Sequence, residues 1–181
     1  MKVKSNVLDV INNLKVMNEM IIVSNKEIVK ELGYIGQQEA KRNVIPYEKD
    51  PEIANNIIQG ITIKIDNGID FARATITATD ENSIFYEYGT GIVGRANSHP
   101  MANDANWIYN LPTQYKRIAT NPTSKHFGEM GWFHKFPDGT FFVTGQPANA
   151  FMFKARNRIL QYSIKIAKEN ITKSIRKSIG K

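Results

Sequence analysis

No cysteine occurs among the 181 residues, which excludes disulfides and thiolate chemistry and points to maturation in a reducing cytoplasm. Long hydrophobic runs are missing as well. The purely apolar stretches are only a handful of residues long, so nothing in the sequence is expected to span a membrane. The opening "MKVKSNVLDVINN" is too polar for a signal peptide. Acidic residues are nearly absent from one end. Residues 151–181 hold nine Lys or Arg against a single Glu169, so that segment carries +8 and the other 150 residues sum to −1. The chain therefore reads as a near-neutral body with a basic C-terminal segment, which suits DNA, an acidic protein or simply water as its neighbour.

What is present fits one globular domain, 1–181, large enough for a sizeable core and too short for two comfortable ones. Residues 5–42 read as a helix, with Val7, Ile11, Leu14 and Met17 at helical spacing and Ile21, Ile28, Leu32 and Ile35 continuing the stripe. Pro46 ends it. A sheet is expected over 57–91 and 131–145. Its first hairpin has Ile61, Ile63 and Ile65 alternating with Thr62 and Lys64, and Ala72, Ala74, Ile76 and Ala78 alternating with Arg73, Thr75 and Thr77. Asp66-Asn67-Gly68 offers a tight turn between them. "SIFYEYGT" reads as a short third strand.

Residues 92–130 form a Pro-, Asn- and Ser-rich insertion, expected to be a loop open to neighbours. "GWFHKF-PDG-TFFVT" makes a second hairpin around a Pro-Asp-Gly turn, with Phe133, Phe136, Phe141 and Phe142 as core or as a surface for a second subunit. Residues 148–179 are helical. Leu160, Ile164, Ala167, Ile171 and Ile175 make one stripe, and Ala155, Ile159, Tyr162 and Ile166 make another beside it. The class is α+β, an antiparallel β-sheet packed by long N-terminal and C-terminal helices with a loop-rich insertion.

Gly89, Gly91 and Gly94 spell G-x-G-x-x-G. A dinucleotide loop needs a helix opening on its third glycine within a βαβ unit. Here Gly94 runs into "RANSHPMANDAN" between antiparallel hairpins, so the glycines read as a flexible exit from a strand. His126, Glu129 and His134 lie close in sequence, but their spacing matches no common zinc or nuclease signature. His99, before Pro100, reads as a loop residue. No catalytic, cofactor-binding or metal-binding residue is assigned.

Three stretches taken together resemble a known family: "AKRNVIP" closing the first helix, "YEYGT" closing the sheet, and "GQPANAFMFKA" opening the last helix. They look like the tail-completion, or head–tail joining, proteins of tailed bacteriophages, found in lambda-like siphophages and their contractile relatives. The residues that carry the likeness are Lys41 and Pro46, then Glu87, Tyr88, Gly89 and Thr90, then Gln146, Pro147, Ala148, Phe151 and Met152. Ala150 departs from it, standing where such proteins often have a second proline.

The resemblance implies a non-enzymatic virion subunit of the neck, made in the host cytoplasm and assembled as a ring, sixfold or alternatively twelvefold. Its partners would be itself, neighbouring neck, connector and tail-terminator proteins, and genomic DNA in the channel, with no membrane and no cofactor. Lys154, Arg158, Lys165, Lys168 and Arg176 would then face DNA or a partner. Two other classes stay open: a stand-alone DNA-binding module using the basic helix, and a small hydrolase or nuclease built on His126, Glu129 and His134.

Overall fold

A proline three residues beyond its end and two cations in its last turn delimit the first element of the computed structural model. That element is α1, Val7–Asn43, followed by Pro46 and carrying Lys41 and Arg42 where the helix dipole favours positive charge. The structure describes residues 7–46, 51–109, 117–118, 130–136 and 139–179. After α1 come α2 (Pro51–Gly60), β1 (Ile61–Asn67), β2 (Ala72–Ala78), α3 (Ser83–Tyr88) and α4 (Gly91–Ala96). Then follow β3 (Arg117–Ile118), β4 (Met130–Phe136), β5 (Gly139–Val143), β6 (Gly145–Gln146) and α5 (Phe151–Ile179). The protein is α+β, with long helices at both ends and antiparallel strands between them.

Among the described residues the strands make two sheets rather than the one expected. β1 pairs with β2, while β3, β4 and β5 form a separate three-stranded sheet. Within the second, β4 and β5 pair antiparallel with Phe133 opposite Phe142 and His134 opposite Phe141. Pro137 and Asp138 of the expected turn between them lie outside the described residues. The first hairpin turns later than Asp66-Asn67-Gly68 suggests. Gly68 N–H donates to the Phe71 carbonyl at 2.9 Å, leaving Ile69 and Asp70 at the tip. β1 continues through Asn67, although its burial alternation runs only from Ile61 to Ile65.

The chain divides into two compact units. One comprises α1 as far as Gln37, the stretch Ile63–Ile76, and α5 from Arg156. Here α1 lies almost in contact with its neighbours through two glycines. A Cβ on Gly33 would come within 2.7 Å of Ala74 Cβ and Ile63 Cδ1, and one on Gly36 within 2.5 Å of Ile159 Cδ1. Each helical glycine costs about 1 kcal/mol relative to alanine, and close packing against the hairpin and α5 offsets that cost. Ser24 Oγ meets Ser174 Oγ at 2.7 Å, and Asn170 Nδ2 donates to Glu31 Oε2 at 3.0 Å. The two helices therefore run antiparallel.

The same packing decides which of the two α5 stripes turns inward. Ile159 over Gly36 sets the rotation of the helix, so Ile159, Tyr162 and Ile166 turn inward. Leu160, Ile164 and Ile171, one position round, remain exposed.

The second unit comprises Gln38–Thr62 and Thr77–Ala155. Its core holds Ala40, Val44, Ala54, Ile57, Ile61, Tyr86, Ala102 and Phe151, and Ile57, Ile61 and Phe151 are the largest of its completely buried side chains. Helix α2 has no counterpart among the sequence expectations. Ala54 and Ile57 make its buried face at i, i+3 and hand over directly to Ile61 at the start of β1. Completely burying side chains of this size contributes about 1.5–3 kcal/mol each. "SIFYEYGT" is likewise helix, not strand. Ser83, Tyr86 and Glu87 fall on one buried face of α3, and the chain turns sharply at Gly89.

Candidate functional site

The N-terminus of α5 exposes amide hydrogens that no earlier turn of helix can accept. The residue before the helix is Ala150, which has no side-chain oxygen to cap them. Glu87 supplies the acceptor from 65 residues away. Its Oε2 accepts the Met152 N–H at 2.8 Å, and its Oε1 accepts the Phe153 N–H at 3.0 Å. These are the second and third residues of the helix, the amides that a capping side chain ordinarily serves. A carboxylate here also sits where the helix dipole favours negative charge.

His99 completes the arrangement. The Met101 N–H donates to His99 Nδ1 at 3.0 Å, which places the ring proton on Nε2, and Nε2–H donates to Glu87 Oε1 at 2.9 Å. Both side chains are buried. Both ring nitrogens of His99 and both oxygens of Glu87 are thus engaged in holding the helix start. His99 does lie in a loop, as expected, but its side chain is buried. His99 closes the core of this unit, and no pattern in its neighbourhood signals this.

Aromatic rings cover the pair. Tyr88 lies 4.5 Å from the His99 ring and stacks on Trp107 at 5.1 Å, while Phe153 meets His99 edge-on at 5.3 Å. Trp107 Nε1–H donates to the Gly89 carbonyl at 3.1 Å, and the His99 N–H donates to Tyr109 Oη at 2.9 Å. Residues 97–109 of the expected open insertion therefore fold back onto the Glu87-Tyr88-Gly89-Thr90 stretch. Residues 110–116 and 119–129 of that insertion, with His126 and Glu129, lie outside the described residues. His134 is on β4, its side chain likewise outside them.

The glycines serve close backbone approach. Gly89 and Gly91 have φ of 77° and 62°, a region that side chains disfavour. A Cβ on Gly89 would fall 2.7 Å from the Gln146 carbonyl, and one on Gly91 2.5 Å from the Thr144 carbonyl. Thr90 bridges Gln146 and Gly91 bridges Gly145 across this contact. Gln146 Nε2–H also donates to the Phe85 carbonyl at 2.9 Å. A short helix, α4, does follow, but it opens on Gly91 and lasts only to Ala96.

The three stretches behind the resemblance meet in this unit. Asn149 Oδ1 accepts the Ile45 N–H at 2.7 Å, next to Pro46. The Asn149 N–H donates to the Tyr86 carbonyl at 2.8 Å, and the Ala150 N–H to the Glu87 carbonyl at 3.1 Å. The Ala148 N–H donates to the Asn97 carbonyl at 3.3 Å. Phe151 is wholly buried, and Met152 is half-buried. Lys41 is half-buried in the last turn of α1, and Pro46 and Pro147 are exposed.

The basic residues divide differently from the sequence grouping. Lys165, Lys168 and Arg176 line one open groove of about 680 Å³ along α5, together with Glu169, Thr172, Lys173 and Lys177. Lys173 and Lys177 stand outside that grouping, although cations recurring at three- and four-residue intervals point to them. Arg158 instead lies over the Tyr162 ring at 4.4 Å. Lys154 is exposed on the first turn of α5.

Among the described residues no group of three or more His, Cys, Asp or Glu could hold a metal ion, and no helix is long and apolar enough to cross a membrane. Comparison with protein-family models, with curated proteins and with solved structures finds no match to this chain.

Proposed function

We propose that this chain is a structural subunit of the neck of a tailed bacteriophage, acting in the joining of tail to head. The single observation that carries the reading is the convergence on Glu87. Three stretches spread from Ala40 to Ala155, which jointly resemble head–tail joining proteins, are tied together by the Asn149, Glu87 and Met152 bonds. Parts of all three stretches thus meet around the start of one long helix. The Glu87–His99 pair supports a holding role over catalysis, since every ring nitrogen and carboxylate oxygen of the pair is engaged within the fold.

In this reading the subunit works as a ring, sixfold or alternatively twelvefold, within the virion. It contacts itself and the adjoining neck, connector and tail-terminator proteins. The test is to interrupt the gene in its phage and examine the lysate by electron microscopy. DNA-filled heads and separate tails should accumulate, and wild-type protein supplied in trans should restore joined particles. Normal joined particles without the protein would refute the reading.

A second reading, a DNA-binding module, is favoured by one feature. Five cations and a single acid line the α5 groove, a surface that attracts phosphate backbones. Affinity of the purified chain for duplex DNA that falls steeply with salt would support it, and it is compatible with a subunit facing the genome.

A further inference from the structure

We infer that the α5 groove holds duplex DNA by its phosphates alone and reads no base sequence. The inference rests on the second reading above and names the mode of recognition. Among the described residues the groove is lined from α5 itself, and its five cations from Lys165 to Lys177 share it with only Glu169 and Thr172. At 1.5 Å of rise per residue they are spread along about 18 Å of the helix.

The other long helix carries its charges differently. On α1, Lys15, Lys26 and Lys30 are interspersed with Glu19, Glu27 and Glu31, the mixture expected of a solvated helix. On α5, Lys165 stands three residues from Lys168, and Lys173 three and four residues from Arg176 and Lys177. Like charges at those spacings oppose the helix. Glu169 offsets them only through a 3.9 Å contact to Lys165, between two exposed side chains. A regular polyanion laid along this face relieves the repulsion.

The make-up of the groove selects the anion. Lysine is depleted and aromatic residues are enriched where protein meets protein, whereas this face has four lysines and no aromatic ring. Single strands are held by stacking their bases on aromatic side chains, which the groove also lacks. Base edges in a duplex are read chiefly by Arg, Asn and Gln, and Arg176 is the only such residue here. The phosphate backbone remains, which lysine meets as a point charge. About 18 Å of duplex carries about ten phosphates, enough for each of the five cations to meet one.

The test titrates the purified full chain with two fluorescent duplexes of equal length and unrelated sequence, over a range of salt. The two affinities should agree within about threefold. Log K should fall against log salt with a slope of about −4 to −5, since each phosphate neutralised contributes about −0.9. Lys173→Gln with Arg176→Gln should make that slope shallower by about 2. Lys154→Gln with Arg95→Gln removes the same charge from residues that do not line the groove, and should leave the slope unchanged. A larger preference for one duplex, a single strand bound as tightly as either, or equal loss of slope in both double variants would overturn the inference while leaving DNA binding in place. No affinity for DNA at all would overturn the second reading with it. Neck function is judged separately on particles from the interrupted gene.

Discussion

The Ile45 amide and the Asn149 side chain meet at 2.7 Å although 104 residues separate them. Asn149 is buried, and its own N–H is committed to the Tyr86 carbonyl. One residue thereby fastens the end of α1 and the end of α3 to the strand-to-helix turn before α5. Asn149→Ala removes the acceptor of the part-buried Ile45 N–H bond, and a hydrogen bond of this kind contributes about 0.5–1.5 kcal/mol. Asn149→Asp keeps the acceptor oxygen. Thermal melts should therefore rank wild type above Asn149→Asp and both above Asn149→Ala.

Glu87 is the more demanding position. Glu87→Ala removes the acceptor of Met152, Phe153 and His99 together. Hydrogen bonds to a charged group contribute about 1.5–3 kcal/mol each, so a loss of about 3 kcal/mol or more is expected. Glu87→Gln retains one oxygen and turns an amide donor toward the helix amides, and should fall in between. Hydrogen exchange should show the first turn of α5 opening in both variants. Unchanged protection at Met152 and Phe153 would contradict the capping role.

Ala150 has φ of 51°, and its N–H is bonded to the Glu87 carbonyl. The left-handed region costs a non-glycine residue about 1–2 kcal/mol, and proline, fixed near −65°, cannot enter it at all. This gives physical content to the departure from the resembling family, which often carries proline here. Ala150→Gly should leave the melting temperature equal or higher. Ala150→Pro should unseat the helix start, and a normal melt for that variant would show that the turn can be rebuilt.

Phe151 and the basic groove should separate on mutation. Phe151→Ala empties a fully buried site and should cost about 3–5 kcal/mol. Lys165, Lys168, Lys173, Arg176 and Lys177 line open surface, where a charge contributes at most about 1 kcal/mol. Replacing all five should leave the melt intact while impairing particle assembly or genome retention. Normal infectious particles from that variant would reduce the groove to a solvated surface.

Much of this is legible in residue patterns, though unevenly. The long helices and both hairpins follow from periodicity, because alternation and the helical repeat act over windows long enough to read. "SIFYEYGT" misleads because a short run rich in aromatic and β-branched residues satisfies a strand as well as a helix, and only the fold puts Ser83, Tyr86 and Glu87 on one face. The two stripes of α5 are both apolar, so periodicity alone does not say which turns inward. Gly36, in a different element, decides between them. Glu87 stands out in sequence as part of a motif, but its role depends on a helix start that lacks its own cap at Ala150. His99 carries no local signal, since its partners Glu87 and Tyr109 act from outside any short window.

A cryo-electron map of the joined particle, without imposed symmetry, tests the neck assignment most directly. It should show this fold repeated in a single ring between head and tail. Six copies are expected, with twelve as the alternative, and the α5 groove should border the channel or an adjoining subunit. Absence of the protein from mature particles, or its presence as one isolated copy, would contradict the assignment.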